Sequence, residues 1–580
     1  MTRGLQTLAP LDRISGGPGE EAAARYITAE LDRFGVPYQV HRPRLYLSWP
    51  VRASLRVEAL SIEAITASFS ASTPALGVTA KLAYVKREAG HLFTDPESGI
   101  YGLDVRGKIV MVDGLVSPQS VVRAATAGAV GVIHLNPSDL LHEMIVSPVW
   151  GTPTPADADR LPKIPVVSVR KRDAARLLAA AERGAAATLQ AEVSTGWRET
   201  PLVVAEVKGQ SDEFVLLSAH LDAWYSGMSD TGAANVALLE FARLLHGARD
   251  RLSRSIRVAW WTGHSTGRYG GSAWYADRFW PDLDQRCVGF VNLDGPGTKG
   301  VPLDVVSTWA WPELMSFVDA VAREVSGREP VHEYVSEDPG RIRPPRAGDS
   351  SFQGIGVPEF SVGVPELAAG HPDRLPYVGG SQGAWWWHTR DDTIDKVDVN
   401  VMIRDLEWRL ASLLGILNAR VLPYRISAIA NAYTKALGEL DDLRLDLKPL
   451  LALARRLRDV AERVERRYVD EPDLVGAEQA VKVNRALLRA SHGLNAALYT
   501  AAGRFAQDPA TPMPLLPSLD GVRELRTMDP RSDRYGFLLT ELIRGRNRVE
   551  AALGDGLDSL DGLISSTLAR SESGKLRGRY

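Results

Sequence analysis

Hydrophobic and polar positions follow three different rhythms along this chain. Near the N-terminus, Ala23, Tyr26, Ile27, Leu31 and Phe34 recur at helical spacing between Gly19 and Gly35. They predict an amphipathic helix over 19–35, ended by the glycine and barred from continuing by Pro37. Residues 38–47 then read as extended chain, with Pro43 pointing to an edge strand. Between about 76 and 196 the character changes, with short apolar runs at 108–112 and 131–134 on either side of a helix ending in Ala127-Gly128-Ala129. That pattern predicts an inserted module.

From about 203 to 420, apolar runs at 214–218, 256–261, 288–293 and 359–362 alternate with helical stretches at 231–245 and from about Ser272. The runs are apolar along their length, as strands covered on both faces are, so they predict a mostly parallel mixed sheet flanked by helices. Beyond about 421, Leu450, Leu453, Leu457, Val460 and Val464, then Val483, Leu487, Ala490, Leu494 and Leu498, mark two amphipathic helices. A proline-rich break at 509–517 precedes a last helical part over 535–568. The expected fold class is α/β, with an inserted β-rich module and a C-terminal α-helical domain. The expected division is 1–75, 76–196, 197–420 and 421–580. The amphipathic faces of the tail lead to the expectation of a homodimer formed through it.

Composition narrows the functional classes. A chain of 580 residues with 45% hydrophobic and 24% charged residues has the make-up of a multidomain globular protein. A formal net charge of −3 supplies no general attraction for phosphate backbones, so nucleic acid is not an expected partner. Cys287 is the single cysteine, which rules out an internal disulfide and a cysteine-based zinc cluster and suits a reducing compartment. With no apolar leader at 1–10 and no run of roughly 20 apolar residues, the expectation is a cytoplasmic protein without membrane contact. Any bound metal has to be held by histidines and carboxylates.

Such residues gather just beyond the apolar runs. Ser218-Ala-His220-Leu-Asp222 places an imidazole and a carboxylate two residues apart after a strand, and Asp230 opens a helix after a glycine-containing loop. Taken alone, Asp230 reads as a helix N-cap. Asp294 ends another buried run, where a carboxylate is costly without a cation or hydrogen-bond donors. His388 follows three tryptophans and, taken alone, reads as a histidine packed on aromatic neighbours. Ligand sites in open α/β sheets lie beyond the carboxyl ends of strands, and His220, His264 and Asp294 all fall there.

The order HxD, GxxD before a helix ending in Leu-Leu-Glu, NxD, and His388-Thr-Arg-Asp-Asp392-Thr resembles the zinc aminopeptidase superfamily. That superfamily contains bacterial leucyl aminopeptidases, glutamate carboxypeptidase II and the inactive transferrin receptor. The runs at 105–112, 124–133 and 164–169 resemble the protease-associated domain inserted in some peptidases. The resemblance implies that His220, Asp230 and Asp294 bind one zinc, that Asp230 bridges to a second zinc also held by His388, and that Asp222 lies behind His220. It also implies that Asp349 and Ser350 face the substrate. Arg341, Arg343 and Arg346 offer a clamp for a substrate carboxylate, although a solvated basic loop among prolines is the favoured reading.

One departure stands out. Where the family carries a Glu-Glu pair, this chain has His264-Ser265. Three readings follow. His264 replaces the general base, with Ser265 a poor ligand or none; His264 joins His388 and Asp230 around the second metal; or the second site is empty. Acyl transfer by the adjacent His264-Ser265 pair is disfavoured, because neighbouring residues rarely present their side chains to each other and no serine elbow surrounds Ser265. The expected function is a metal-dependent amide or peptide hydrolase, an aminopeptidase acting on short peptides or amino-acid amides with metal-activated water. A catalytically silent binding protein and a specialised amidase or cyclase are the alternatives.

Overall fold

The structure is a computed structural model that describes residues 1–85, 104–332, 348–440, 444–511 and 513–576, with side chains described up to residue 564. At its centre lies a five-stranded sheet in the order Tyr38–His41, Leu202–Val207, Arg254–Trp261, Ser211–His220 and Cys287–Asn292. The first two pairings are antiparallel and the next two parallel. A parallel bridge from Phe290 to Glu359 leads on to a three-stranded sheet of Phe360–Gly363, Ser307–Ala310 and Val331–His332.

The uninterrupted apolar runs have a simple cause. Along Ser211–His220, Val215, Leu217 and Ala219 point into a core with the helices Pro18–Phe34, Ala233–Gly247 and Val399–Asn418. Phe214 and Leu216 point the other way, into a second core with Tyr275, Ala276 and Leu283 from helices Gly270–Arg278 and Trp280–Arg286. Both faces are covered, so no polar alternation survives. The N-terminal helix runs Pro18–Phe34 and stops at Gly35, whose φ of 70° suits a residue without Cβ.

Two expected boundaries do not coincide with structural ones. The insertion is an eight-stranded sheet, and the long strand Arg44–Val57 and the short strands Leu60–Ile62 and Ala64–Thr66 belong to it. Residues 44–66 are therefore part of the insertion rather than of a 1–75 unit. Arg44–Val57 pairs along its length with Ala186–Glu199, so the chain enters and leaves the insertion along one antiparallel ribbon. Pairing of strands some 140 residues apart gives residues 76–80 no reason to mark a boundary.

The tail differs as well. Its helices Ile426–Leu440, Lys448–Val464, Ala477–Tyr499 and Asp533–Leu576 share one continuous core with the α/β unit. The apolar faces containing Leu450, Leu457, Val460, Val464, Val483, Leu487 and Leu494 are buried within the chain itself. They supply no argument for a homodimer. Between this tail and the α/β unit runs a buried polar tie, in which Ser491 and Asn495 donate to Glu313 at 2.7 and 2.6 Å. Among the described residues, no helix is long and apolar enough to cross a membrane.

Because tail and sheet share a core, removing a tail side chain should weaken both together. Leu494→Ala is expected to cost about 2–5 kcal/mol. Coincident loss of helical circular dichroism and of tryptophan fluorescence in a single transition checks it; separate transitions for tail and sheet contradict it.

Candidate metal centre

Strand ends and the loops after them deliver the site. Ser211–His220 ends in His220, whose Nδ1 donates to the carbonyl of Asp222 at 2.6 Å. In the neutral imidazole Nε2 is thereby the nitrogen with the lone pair, directed inward. The Asp222 carboxylate is not behind this ring, contrary to expectation. It accepts from Ser15 Oγ at 2.6 Å and from the backbone amides of His264 and Ser265 at 3.1 and 2.8 Å. The chain turns after His220 so that the carbonyl of Asp222 meets the ring and its side chain braces the neighbouring loop.

That turn is fixed from the N-terminus. Arg13 is fully buried and donates to the carbonyls of Leu221, Ser226 and Gly227. Gly227 has φ of 41°, and a Cβ there would lie 2.5 Å from the Asp230 carbonyl. Beyond it, Asp392 accepts the amides of Ser229 and Asp230 at 2.8 and 3.0 Å. Burial, then the charge of Asp230, pushes Asp392 up to about 7. Asp230 is therefore not a helix N-cap: the helix starts at Ala233, and its carboxylate is turned into the site.

There Asp230 lies between two imidazoles. Its Oδ1 is 3.3 Å from His220 Nε2 and its Oδ2 is 3.1 Å from His388 Nε2. Asp294 Oδ1 is 4.0 Å from His220 Nε2. His220, Asp230 and Asp294 each offer a ligand atom within 4.8 Å of the other two. His220 Nε2 and Asp294 Oδ1 are buried without a hydrogen-bond partner, as metal ligands are in the absence of their ion. Burial lowers the affinity of His220 for protons, but Asp230, Asp294 and Asp222 outweigh it and raise the ring to about 10. Burial and Asp230 raise Asp294 to about 7.

His388 is held by the insertion. Its Nδ1 donates to the Glu143 carbonyl at 2.6 Å, and Glu143 N donates back to the His388 carbonyl at 2.9 Å. Beside them His142 Nδ1 donates to the Trp387 carbonyl at 2.7 Å. His388 has φ of 57°, a conformation disfavoured for residues with a Cβ, and this two-residue clasp holds it there. The ring also stacks on Trp387 at 3.6 Å, so aromatic packing and a ligand orientation occur in one residue.

His264 stacks on His220 at 3.7 Å and donates from Nδ1 to Asp349 Oδ2 at 2.9 Å. Asp349, fully buried, accepts Ser272 Oγ on its other oxygen at 2.8 Å. Among the described residues, His264 does not form a three-residue ligand group with His388 and Asp230, so it is not a further ligand of a second metal in this arrangement. Ser265 lies buried with its Oγ unpartnered and its amide on Asp222. Asp349 and Ser350 do not face a substrate: Asp349 sits behind His264, and Ser350 Oγ donates to the buried Glu359 at 2.8 Å. Arg341, Arg343 and Arg346 lie outside the described residues.

Arg13, Glu143 and Glu359 went unrecognised in the sequence. Asp392 had a signal, its place in the His388-Thr-Arg-Asp-Asp motif; Arg13 and Glu143 carry none, because they act on or through backbone groups more than a hundred residues away, and Glu359 carries none because its burial is set by tertiary packing.

Burial, then Asp349, raises Glu359 to about 8, against an ordinary 4.5. Its folded form keeps a proton that the unfolded chain releases, so the stability it supports is complete below about 4.5 and is lost as pH rises toward 8. Glu359→Gln is expected to raise the melting temperature at pH 8 and leave it unchanged at pH 4.5; equal shifts at both pH values contradict this.

Comparison with known proteins agrees with this architecture. Residues 203–409 match Peptidase family M28 and residues 78–177 match the PA domain. The chain is 25% identical over 422 residues to a probable glutamate carboxypeptidase VP8 from Zea mays, covering 60% of this chain and 57% of that one. It is 27% identical over 269 residues to a probable leucine aminopeptidase 2 from Aspergillus oryzae, covering 45% and 50%. The chain thus spans about half the length of these two relatives. A zinc aminopeptidase from Bacillus subtilis superposes with a TM-score of 0.50 at 21% identity, over 71% of this chain and 94% of that one, and shows the shared fold. Residues 203–409 are therefore similar to Peptidase family M28, and the sheet that precedes them is similar to the PA domain.

Proposed function

We propose that the chain is a metal-dependent aminopeptidase acting on short peptides or amino-acid amides, with zinc as its cofactor. The observation that carries this reading is the buried group His220–Asp230–Asp294, whose two unpartnered ligand atoms suit a borderline divalent cation. The family of the α/β unit, the aminopeptidases among its relatives and a neighbour named as a zinc aminopeptidase support it. A catalytically silent binding protein is not favoured, because a silent fold has no reason to keep these charged groups buried and aligned.

His220, Asp230 and Asp294 would hold one zinc, and Asp230 with His388 offers two further donors. With Ser265 in place of a carboxylate, that second set is poorer, and we propose that a single ion is held tightly. Bound zinc supplies Lewis acidity at the scissile carbonyl and acidifies water. The chain's own contribution is a histidine–aspartate pair. Because Nδ1 of His264 donates to Asp349, its Nε2 is free to take a proton from the attacking water and return it to the departing amine. Asp349 fixes that tautomer and balances the charge of the protonated ring. Tyr269, edge-on to His264 at 4.8 Å, and Trp150, tilted against Tyr269 at 4.1 Å, wall this side and limit water around the ring.

Dialysis against a chelator is expected to abolish hydrolysis of leucine amide, and zinc to restore it, with about one ion retained per chain after gel filtration. Hydrolysis indifferent to chelation overturns the reading. His264→Gln is expected to lower kcat about 10²–10⁴-fold while zinc content stays unchanged; a variant with near-native kcat removes His264 from proton transfer.

A further inference from the structure

The loop that carries His264 also carries a cation that has no counterion among the described residues. Arg268 is half-buried, its Nε lies inside with no partner, and its one side-chain hydrogen bond runs from Nη2 to the Ala510 carbonyl at 3.2 Å. Among the described residues it pairs with no carboxylate, and burial depresses its hold on its proton with only Tyr269 acting against that. Other buried arginines are matched. Arg254 meets Glu213 at 2.8 Å, Arg257 meets Asp282 at 2.5 Å, Arg409 meets Asp405 at 2.8 Å, and Arg13 meets three carbonyls. Removing a guanidinium from water without an anion is costly, so its retention here needs a reason.

Its position supplies one. His220, His264, Tyr269 and Arg268 form a continuous row, with successive spacings of 3.7, 4.8 and 5.4 Å, so the guanidinium lies one aromatic ring beyond the candidate base. Arg268 and Tyr269 both have positive φ, 50° and 66°, which disfavours side chains of this size and turns the loop back on itself. Two other parts of the chain hold that conformation. The insertion donates Gly151 N to the Arg268 carbonyl at 2.7 Å, the tail supplies Ala510, and Ala510 N in turn donates to the Pro148 carbonyl at 2.8 Å. A cation held by Ala510 on a loop tied to both insertion and tail, one ring beyond the candidate base, has the features of a prepared binding group.

We propose that Arg268 anchors a carboxylate of the substrate, the free C-terminal carboxylate of a short peptide whose N-terminal residue lies at the metal centre. An extended chain advances about 3.3–3.6 Å per residue, so the row of rings fits peptides of roughly two to four residues. A guanidinium binds carboxylate through paired, charge-assisted hydrogen bonds. The identity of the substrate rests on the peptidase reading, whereas recognition of the carboxylate stands by itself.

The test compares Leu-Gly-Gly, Leu-Gly-Gly-amide and Leu-Glu-Gly-amide, in hydrolysis and in calorimetric binding to the zinc-free full chain. Wild-type protein is expected to prefer Leu-Gly-Gly over its amide by about tenfold or more, in kcat/KM and in Kd, and Arg268→Met to bring both ratios to about one. Arg268→Lys, which keeps the charge without the fork, is expected to retain part of the preference. A preference of Leu-Glu-Gly-amide equal to that of Leu-Gly-Gly would assign the anchor to an acidic side chain and overturn the C-terminal assignment. Selective binding without hydrolysis supports the anchor and defeats the peptidase reading. Equal handling of acid and amide by the wild-type chain, or an unchanged ratio in Arg268→Met, overturns the anchor whether or not hydrolysis occurs.

Discussion

Two imidazole lone pairs directed at the two oxygens of one buried carboxylate are a repulsive arrangement unless something positive lies between them. The structure imposes this arrangement deliberately, because both rings are locked with Nδ1 donating to a backbone carbonyl, His220 to Asp222 and His388 to Glu143. While neutral, neither can present an N–H to Asp230 without breaking that bond. A proton or a divalent cation resolves the conflict, and a cation resolves it for Asp294 as well. The rest of the site can be understood as scaffolding that keeps this arrangement from relaxing.

The scaffolding is unusually distributed. Arg13 secures the turn after His220 from the N-terminal segment, Asp392 takes the amides on which Asp230 is mounted, and the insertion grips His388. Each tie satisfies backbone groups that would otherwise be buried unmet. His264-Ser265 also fits this scheme: the pair brings no negative charge to the centre, while Asp349, one layer out, gives the imidazole a fixed partner.

Much of this was legible in the chain. Continuous apolar runs foretold strands covered on both faces, and residues at their ends foretold where a site would form, because strand ends are the places where a parallel sheet leaves room. His220, Asp230, Asp294 and His388 meet as their positions suggested. The orientation of Asp222 and Asp349 was not legible, since spacing along a chain does not say whether a carbonyl or a carboxylate turns toward a ring. The extent of the insertion was hidden for a related reason: Arg44–Val57 pairs with a strand more than a hundred residues later, and alternation within one strand cannot name its partner. Amphipathic tail helices announced an apolar face without revealing what covers it.

The grip on His388 sets the order in which the centre can come into being. Glu143 and His388 are separated by 245 positions, and their mutual pair of bonds cannot form until both have left the ribosome and the interrupted strands have found their mates. Contacts of such long separation are late and entropically demanding. A nascent chain therefore passes through an interval in which the central strands are available but the centre is not, and the buried His220–Asp230–His388 arrangement is completed late.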